Sequence, residues 1–498
     1  MAKNGSVDRK AGLGVLLAAC VSTLVVNANT SAVTILLPAI SEDLDAPVAQ
    51  LQWAVTGYML VGAAVIVTSG ALGDVLGRRR VFLAGLVLFV ASCILIALAT
   101  GPAGVIGGRM IQGAAGSTIL ACGMSLLSVS ASGASQMKAI TLWGAASAAG
   151  GALGPLVGGV LVDLTGWQGL FWIDAAIAAL CIPLTLFTVQ ESRDPNRPRS
   201  IDFAGTVLIA VILVPLVLAL SEGTSWGWLS LPTLGCFAIS IVGAFGFVAV
   251  ERKVAAPLVD LRLLRNVVLV GATLAILIVA GAINALMYVL SLYFQDSAGF
   301  GMSALQAGLA TLPAAAAMIA ITPFITPFAV KIGPARAVAV GFALAAAAFG
   351  ALAFVTASWS YAVFVLPLIV LSVGLGLANG PASSASTASV EADEVGAASG
   401  ISNMARYIGG SLAVAAVATV YNTVTDNHLD EGASPSDALA AGVSRSALLL
   451  AIFCAAGILL AGFVRRHRTR RPRPIDLAAA AAAPVHTIPT EPARPQLT

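Results

Sequence analysis

Charge is scarce in this chain: Asp, Glu, Lys and Arg make up 10% of its 498 residues. An ordinary soluble protein carries about 25% charged residues, so a soluble domain of this length is excluded. Histidine is scarcer still, with three residues, and the six cysteines (Cys20, Cys93, Cys122, Cys181, Cys236 and Cys454) show no paired spacing. Neither a metal site nor a disulfide framework is supported, and no cofactor is expected. The same shortage speaks against an integral-membrane enzyme such as an acyltransferase. That chemistry needs a nucleophile, a base or a metal set at one membrane face, and no His, Cys or paired carboxylates are placed to supply it.

Apolar sequence is abundant instead, with 58% hydrophobic residues and a mean hydropathy of +0.95. Stretches of about 20 apolar residues, each long enough as a helix to cross the hydrocarbon core, recur fourteen times. They fall at 12–38, 51–73, 80–99, 103–129, 138–162, 167–189, 202–221, 229–250, 266–294, 304–330, 335–357, 361–382, 396–421 and 445–464. The first is too long in its apolar part for a cleaved signal peptide, and more spans follow.

Lysine and arginine stay on the cytoplasmic side of a membrane, and here their distribution is one-sided. With the N-terminus inside, the inside segments hold Lys3, Arg9, Lys10, Arg78, Arg79, Arg80, Lys138, Arg193, Arg197, Arg199, Arg252, Lys253, Arg262, Arg265, Lys331, Arg336 and seven tail arginines. Of the 26 cations only Arg445 falls in an outside loop, and Arg109 and Arg406 lie inside spans. The outside loops carry Glu42, Asp43, Asp45, Asp426, Asp430 and Glu431. Both termini are therefore expected to be cytoplasmic. The net charge of +3 is this asymmetry summed and does not point to nucleic acid. The tail "RRHRTRRPRP" reads as a stop signal touching anionic lipid headgroups, and the low-complexity "AAAAAAPVHTIPTEPARPQLT" after it is expected to be disordered.

Four motifs carry more than hydropathy. "GALGDVLGRRR" joins the second and third spans: Gly70, Gly73 and Gly77 permit a tight turn and close helix approach, Asp74 sits beside the third span's start, and Arg78 to Arg80 form a basic cluster. A degenerate copy, "FAVKIGPARAV", follows the tenth span, with Gly333 in the place of Gly77 and the Asp missing. Such repetition fits two halves related by an axis along the membrane normal, with a substrate site between them. In the fifth span, "AAGGALGPLVGGVL" sets Gly150, Gly154 and Gly158 on one face that a neighbouring helix can approach to backbone contact. Pro155 removes a backbone donor and is expected to bend the helix there. An ordinary packing seam is the alternative. In the fourth span, "GGRMIQGAAG" places Arg109 in an apolar helix, where a cation costs about 2.5–3.5 kcal/mol and calls for a partner. Gln112 shares its face; snorkelling toward the outer interface is the alternative.

Taken together, these motifs resemble the fourteen-span drug:proton antiporter family of the major facilitator superfamily, with "ESRDPNRPRSIDFAG", "PLVDLRLLRN" and "GISNMARYIGG" adding to the likeness from about residue 12 to 465. The resemblance implies an all-α membrane fold of two six-helix bundles and two inserted spans. The segments expected are a cytoplasmic N-terminus (1–11), a first bundle (12–189), a linker region with the two extra spans (190–265), a second bundle (266–464) and a cytoplasmic tail (465–498). The resemblance implies a gating clasp at Gly73, Asp74, Gly77 and Arg78, an exporter's fifth helix at Gly150, Gly154, Pro155 and Gly158, proton transfer at Arg109, and a structural or gating role for Arg406. Small-molecule export across the plasma membrane by proton antiport follows, by a protein expected to be monomeric; uptake by the same fold is the alternative.

One departure stands at the end of the first span. When Pro38 of "VVNANTSAVTILLP" is matched to the family's Pro, Asn29 takes the place of a family Asp and Thr34 that of its Asn. An amide cannot load a proton. Asn27, Asn29, Ser31 and Thr34 are expected to line a wet cavity, with Gln112 and Asn284 as further lining candidates; helix packing is the alternative for the first-span group. The coupling carboxyl must then lie elsewhere. Asp163 and Asp296 fall near outer helix ends, and Asp174 in "FWIDAAIAAL" lies within an apolar run. Counting inward at 1.5 Å per residue, Asp174, Arg109 and Asn29 share a similar depth, so an Asp174–Arg109 pair is geometrically possible. Against it stand the sixth span's expected peripheral position and the option that Asp174 complements its helix dipole.

Overall fold

The computed structural model describes residues 4–130, 133–193, 202–254, 257–391 and 394–468. The low-complexity tail expected to be disordered lies outside them, as do Lys3, Arg197 and Arg199. The described chain is helical: α1 (Asn4–Asp43), α2 (Val48–Leu51), α3 (Trp53–Leu76), α4 (Arg78–Ala97), α5 (Pro102–Ser130), α6 (Gly133–Thr165), α7 (Gln168–Thr188), α8 (Phe203–Trp226), α9 (Leu231–Glu251), α10 (Val267–Gln295), α11 (Ala304–Ala310), α12 (Leu312–Ile332), α13 (Pro334–Leu352), α14 (Tyr361–Thr387), α15 (Val395–Asp430) and α16 (Pro435–Arg468). Thirteen stretches are long and apolar enough to cross a membrane, with α2 and α3 counted as one. The fourteenth crossing is α11 and α12 together, interrupted at Thr311, where Pro313 supplies no backbone donor.

Each expected span is present, and the differences lie at helix ends. The loop expected between the last two spans is largely helix, because α15 runs on to Asp430 and α16 starts at Pro435. Arg445 is therefore an exposed residue of α16, not of a loop. Hydropathy marks only the part of a helix that lies in hydrocarbon; Ser434 Oγ, accepting from Asp437 N–H at 3.2 Å, caps the polar extension. Likewise α1 continues through Glu42 and Asp43. α6 stays helical on both sides of Pro155.

The helices form two bundles with the same pairing. In the first, α1 packs on α6, α3 and α4 on α5, and α4 and α1 on α7. In the second, α10 packs on α15, α12 and α13 on α14, and α13 and α10 on α16. The glycine seams repeat too: Gly150, Gly154 and Gly158 lie against Leu24, Ala28 and Ala32 of α1, and Gly281 lies against the Gly409 carbonyl across α10 and α15. The corresponding turn within each bundle, α3–α4 and α12–α13, uses a glycine with positive φ, Gly77 at 119° and Gly333 at 88°. The internal repeat that two short motifs suggest thus extends through the packing.

The bundles meet along three lines. At the face opposite the chain ends, Ser291 Oγ donates to the Thr34 carbonyl at 2.8 Å and Gln295 Nε2 to the Ile35 carbonyl at 3.0 Å, joining α10 to α1. There too α6 meets α11 at backbone distance: a Cβ on Gly159 would sit 2.6 Å from the Ala304 carbonyl, and one on Gly308 2.5 Å from that of Pro155. The third line is α3 against α15, where Gly62 receives the Tyr407 ring. The inserted α8 covers that seam, packing Ile209, Leu213 and Val217 on Leu60, Ala63 and Ala64 of α3 and Ala415 of α15.

Candidate functional site

Glycine creates the central site. Gly113 and Gly116 of α5 lie directly against the Tyr58 carbonyl and hydroxyl of α3, so the two backbones approach as closely as side-chain-free positions allow. One turn along, Arg109 projects into the contact and is 1% exposed. Its Nε–H donates to the Ala54 carbonyl at 3.1 Å. Its Nη1 donates to Asn29 Oδ1 at 2.6 Å and to Gln112 Oε1. The Tyr58 ring lies under the guanidinium, 4.2 Å from Cζ to the ring centroid. Hydrogen bonds to a charged group contribute about 1.5–3 kcal/mol each, enough together to offset an insertion cost of about 2.5–3.5 kcal/mol. This is an enclosed arginine rather than a snorkelling one.

Asn29 extends the chain. Its Nδ2 donates to Asp174 Oδ2 at 2.7 Å while its Oδ1 accepts from Arg109. The chemistry fixes the amide's orientation, since the reverse would set an NH2 group against the guanidinium. Asn29 is fully buried and Asp174 is 4% exposed. The geometry therefore corrects three expectations. Asp174 and Arg109 share a depth, but Asn29 stands between them in place of a direct pair. Asn29 and Gln112 are enclosed network members, not cavity lining; Gln112 Nε2 donates to Cys93 Sγ at 3.0 Å. Asp174 lies beyond the first turn of α7, out of reach of a dipole role, and that helix packs on α1 and α4, which buries the carboxyl.

The other first-span polar residues are held by their own helix. Asn27 Nδ2 donates to the Thr23 carbonyl at 2.9 Å, and Ser31 Oγ to the Asn27 carbonyl at 3.1 Å; both residues are half-buried. Ser31 also meets Gly154. Thr34 is 4% exposed, under the α1–α10 closure. Asn284 bonds the Ala280 carbonyl of α10 at 2.8 Å and is half-buried beside Gly410. Arg406 reaches α14, donating to Asn379 Oδ1 at 2.9 Å and Ser383 Oγ at 2.7 Å.

At the chain-end face, Asp74 and Arg78 form an ion pair at 3.0 Å across the α3–α4 turn. Sequence reasoning missed the partner of this turn. Glu191 Oε1 accepts from Arg79 N–H at 3.1 Å, its Oε2 lies 3.6 Å from Arg80 Nε, and the Ser192 carbonyl accepts from Arg78 N–H at 2.9 Å. A Cβ on Gly77 would strike the Glu191 carboxylate at 2.6 Å, so glycine is required there by contact as well as by φ. Tyr58, Cys93, Asn379 and Ser383 were also missed. An isolated hydroxyl or amide in an otherwise apolar run is the one signal that marks most of them.

The sequence matches the family model of the Major Facilitator Superfamily over residues 19–414. The chain belongs to this superfamily. It is accordingly a multi-pass membrane transporter and not an enzyme. The tetracenomycin C resistance and export protein of Streptomyces glaucescens is 30% identical to it over 400 residues, covering 80% of this chain and 74% of that protein. The cephamycin export protein CmcT of Amycolatopsis lactamdurans is 31% identical over 445 residues, covering 88% and 90%. In fold, the facilitator is similar to a bacterial homologue of the human lysosomal transporter Spinster in an inward-facing, occupied conformation, with a TM-score of 0.67 and 14% identity over 93% of this chain and 98% of that one.

Proposed function

We propose that this transporter exports a small amphipathic organic compound across the plasma membrane by alternating access, in exchange for protons that Asp174 carries. The chain Asp174–Asn29–Arg109 carries this reading: a buried acid joined through one amide to a buried cation. Burial penalises a charged carboxylate and a nearby guanidinium favours it, so a movement that lengthens or shortens the chain changes Asp174's hold on a proton. An acid at position 29 would set carboxyl against carboxyl at the 2.7 Å Asn29–Asp174 contact. Asparagine there fits a protein whose coupling acid sits on the sixth span instead. The export proteins among the relatives support the direction of transport.

In this reading both termini are cytoplasmic, the protein works as a monomer with two bundles at 12–189 and 266–464, and the closure by Ser291, Gln295, Gly159 and Gly308 seals the outside. Tyr58 links the proton site to the second bundle, its ring 6.3 Å from that of Tyr407 on α15. The test uses everted vesicles and a compound found by a growth-inhibition panel in a pump-deficient host. An imposed pH gradient, acid inside, should drive accumulation by the parent. Asp174→Asn should lose that accumulation while still exchanging labelled for unlabelled compound. Gradient-driven accumulation at the parental rate in Asp174→Asn would remove Asp174 from the mechanism.

A further inference from the structure

The inserted helices carry ionisable chemistry that the Arg109 network does not use. Asp202, the residue before α8, and Glu251, the last of α9, are 5% and 4% exposed. Each spends one oxygen on a backbone amide: Asp202 Oδ1 accepts from Gly205 N–H at 2.7 Å, capping α8, and Glu251 Oε2 accepts from Val259 N–H at 3.3 Å. The remaining oxygens, Asp202 Oδ2 and Glu251 Oε1, are buried with no donor. They converge on one spot, because a Cβ on Gly205 would lie 2.6 Å from the first and 2.8 Å from the second.

Among the described residues neither carboxylate belongs to an ion pair. Arg252, Lys253, Arg262 and Arg265 are exposed, and Asp260 Oδ1 accepts from the Arg262 N–H. From α3 comes Thr68, hydrogen-bonded to Thr206, and from α15 the apolar Ile401 and Met404 beside Phe247. Two bare carboxylate oxygens turned together in such a place cannot both keep their charge cheaply. One proton resolves the conflict, since the acid form donates to its ionised neighbour. A hard metal ion wants about six oxygen ligands, and among the described residues no group of three or more His, Cys, Asp or Glu could hold one.

We propose that Asp202 and Glu251 hold one proton between them, forming a proton-dependent clamp at the base of the inserted helix pair. The clamp has reach. Glu251 holds the connector leading to α10, whose Val259 and Leu263 pack on Ala398 and Ile401 of α15. Thr206, one turn into α8, bonds Thr68 of α3. Both bundles are thereby fastened to one protonated joint.

The sign follows from linkage. The folded protein binds a proton that the unfolded carboxylates release, so the clamp's stabilisation is full at low pH and lost as pH rises. Purified protein in detergent is melted at a series of pH values from about 6 to about 9, comparing the parent with Asp202→Asn and Glu251→Gln. Either amide supplies a permanent donor to the facing carboxylate. The parent should lose several degrees of Tm across the range, and both variants should lose less. Infrared spectra of the parent at the acid end should contain a protonated-carboxyl band that each variant removes. Parallel melting curves in parent and variants, or an unchanged band in both variants, would overturn the clamp; a variant that does not fold leaves the other to report the same interaction.

Discussion

At the face opposite the chain ends, part of the closure is a backbone contact at two glycines, Gly159 and Gly308, and adding one methyl group tests it. Gly308→Ala would place a Cβ 2.5 Å from the Pro155 carbonyl, where ordinary contact begins at 3.4 Å. Both partners are backbone, so no side chain can swing aside; α6 and α11 must part by about 1 Å. Forcing an extra carbon into a packed contact costs about 1–3 kcal/mol. The cost falls on the closed state alone, because the contact joins two bundles that separate on opening, and so the open fraction rises about 5- to 150-fold. Ser291, 1% exposed beneath the α1–α10 closure, serves as the reporter when replaced by cysteine. A membrane-impermeant maleimide added outside should label Ser291→Cys faster by that factor in the Gly308→Ala background. Equal labelling rates in the two backgrounds would show that the α6–α11 contact does not govern closure.

Arg109→Ala strands Asn29 and Gln112 acceptors in a buried site, at about 1–3 kcal/mol for each unsatisfied group; gradient-driven efflux in everted vesicles should vanish, whereas Arg109→Lys keeps the charge without the fork and should retain a fraction. Gly154→Leu drives a side chain into Ser31 and the Ala28 carbonyl, so export should be lost while the protein still appears in the membrane fraction; normal efflux would mean that α1 and α6 can separate freely. Reporter fusions after residue 470 should be active on the cytoplasmic side, and an external reporter would require an odd number of crossings.

Much of the architecture was legible because hydrocarbon imposes a single requirement, about 20 apolar residues per crossing, and the sequence meets it fourteen times. Helix ends were less so: α15 and α16 continue in polar sequence that hydropathy does not mark. In the site, depth could be counted along each helix, and it put Asp174, Arg109 and Asn29 on one level. Azimuth could not, because it depends on which glycines let helices touch. Hence the insertion of Asn29 between acid and base, and the Tyr58 ring beneath the guanidinium, needed coordinates. Glu191 was hidden for another reason. Its partners are over a hundred residues away, and a glutamate after a helix has many ordinary uses.

The inserted helices break the symmetry of a machine whose two bundles otherwise mirror each other. Two lateral seams separate the bundles, one between α3 and α15 and one between α6 and α11–α12. The first is walled off by α8, while large apolar side chains such as Ile241, Val242 and Phe245 on α9 face outward. Among the described residues neither inserted helix packs on the second seam, between α6 and α11–α12. The wall the protein presents to the lipid is therefore one-sided in a molecule whose core is two-fold.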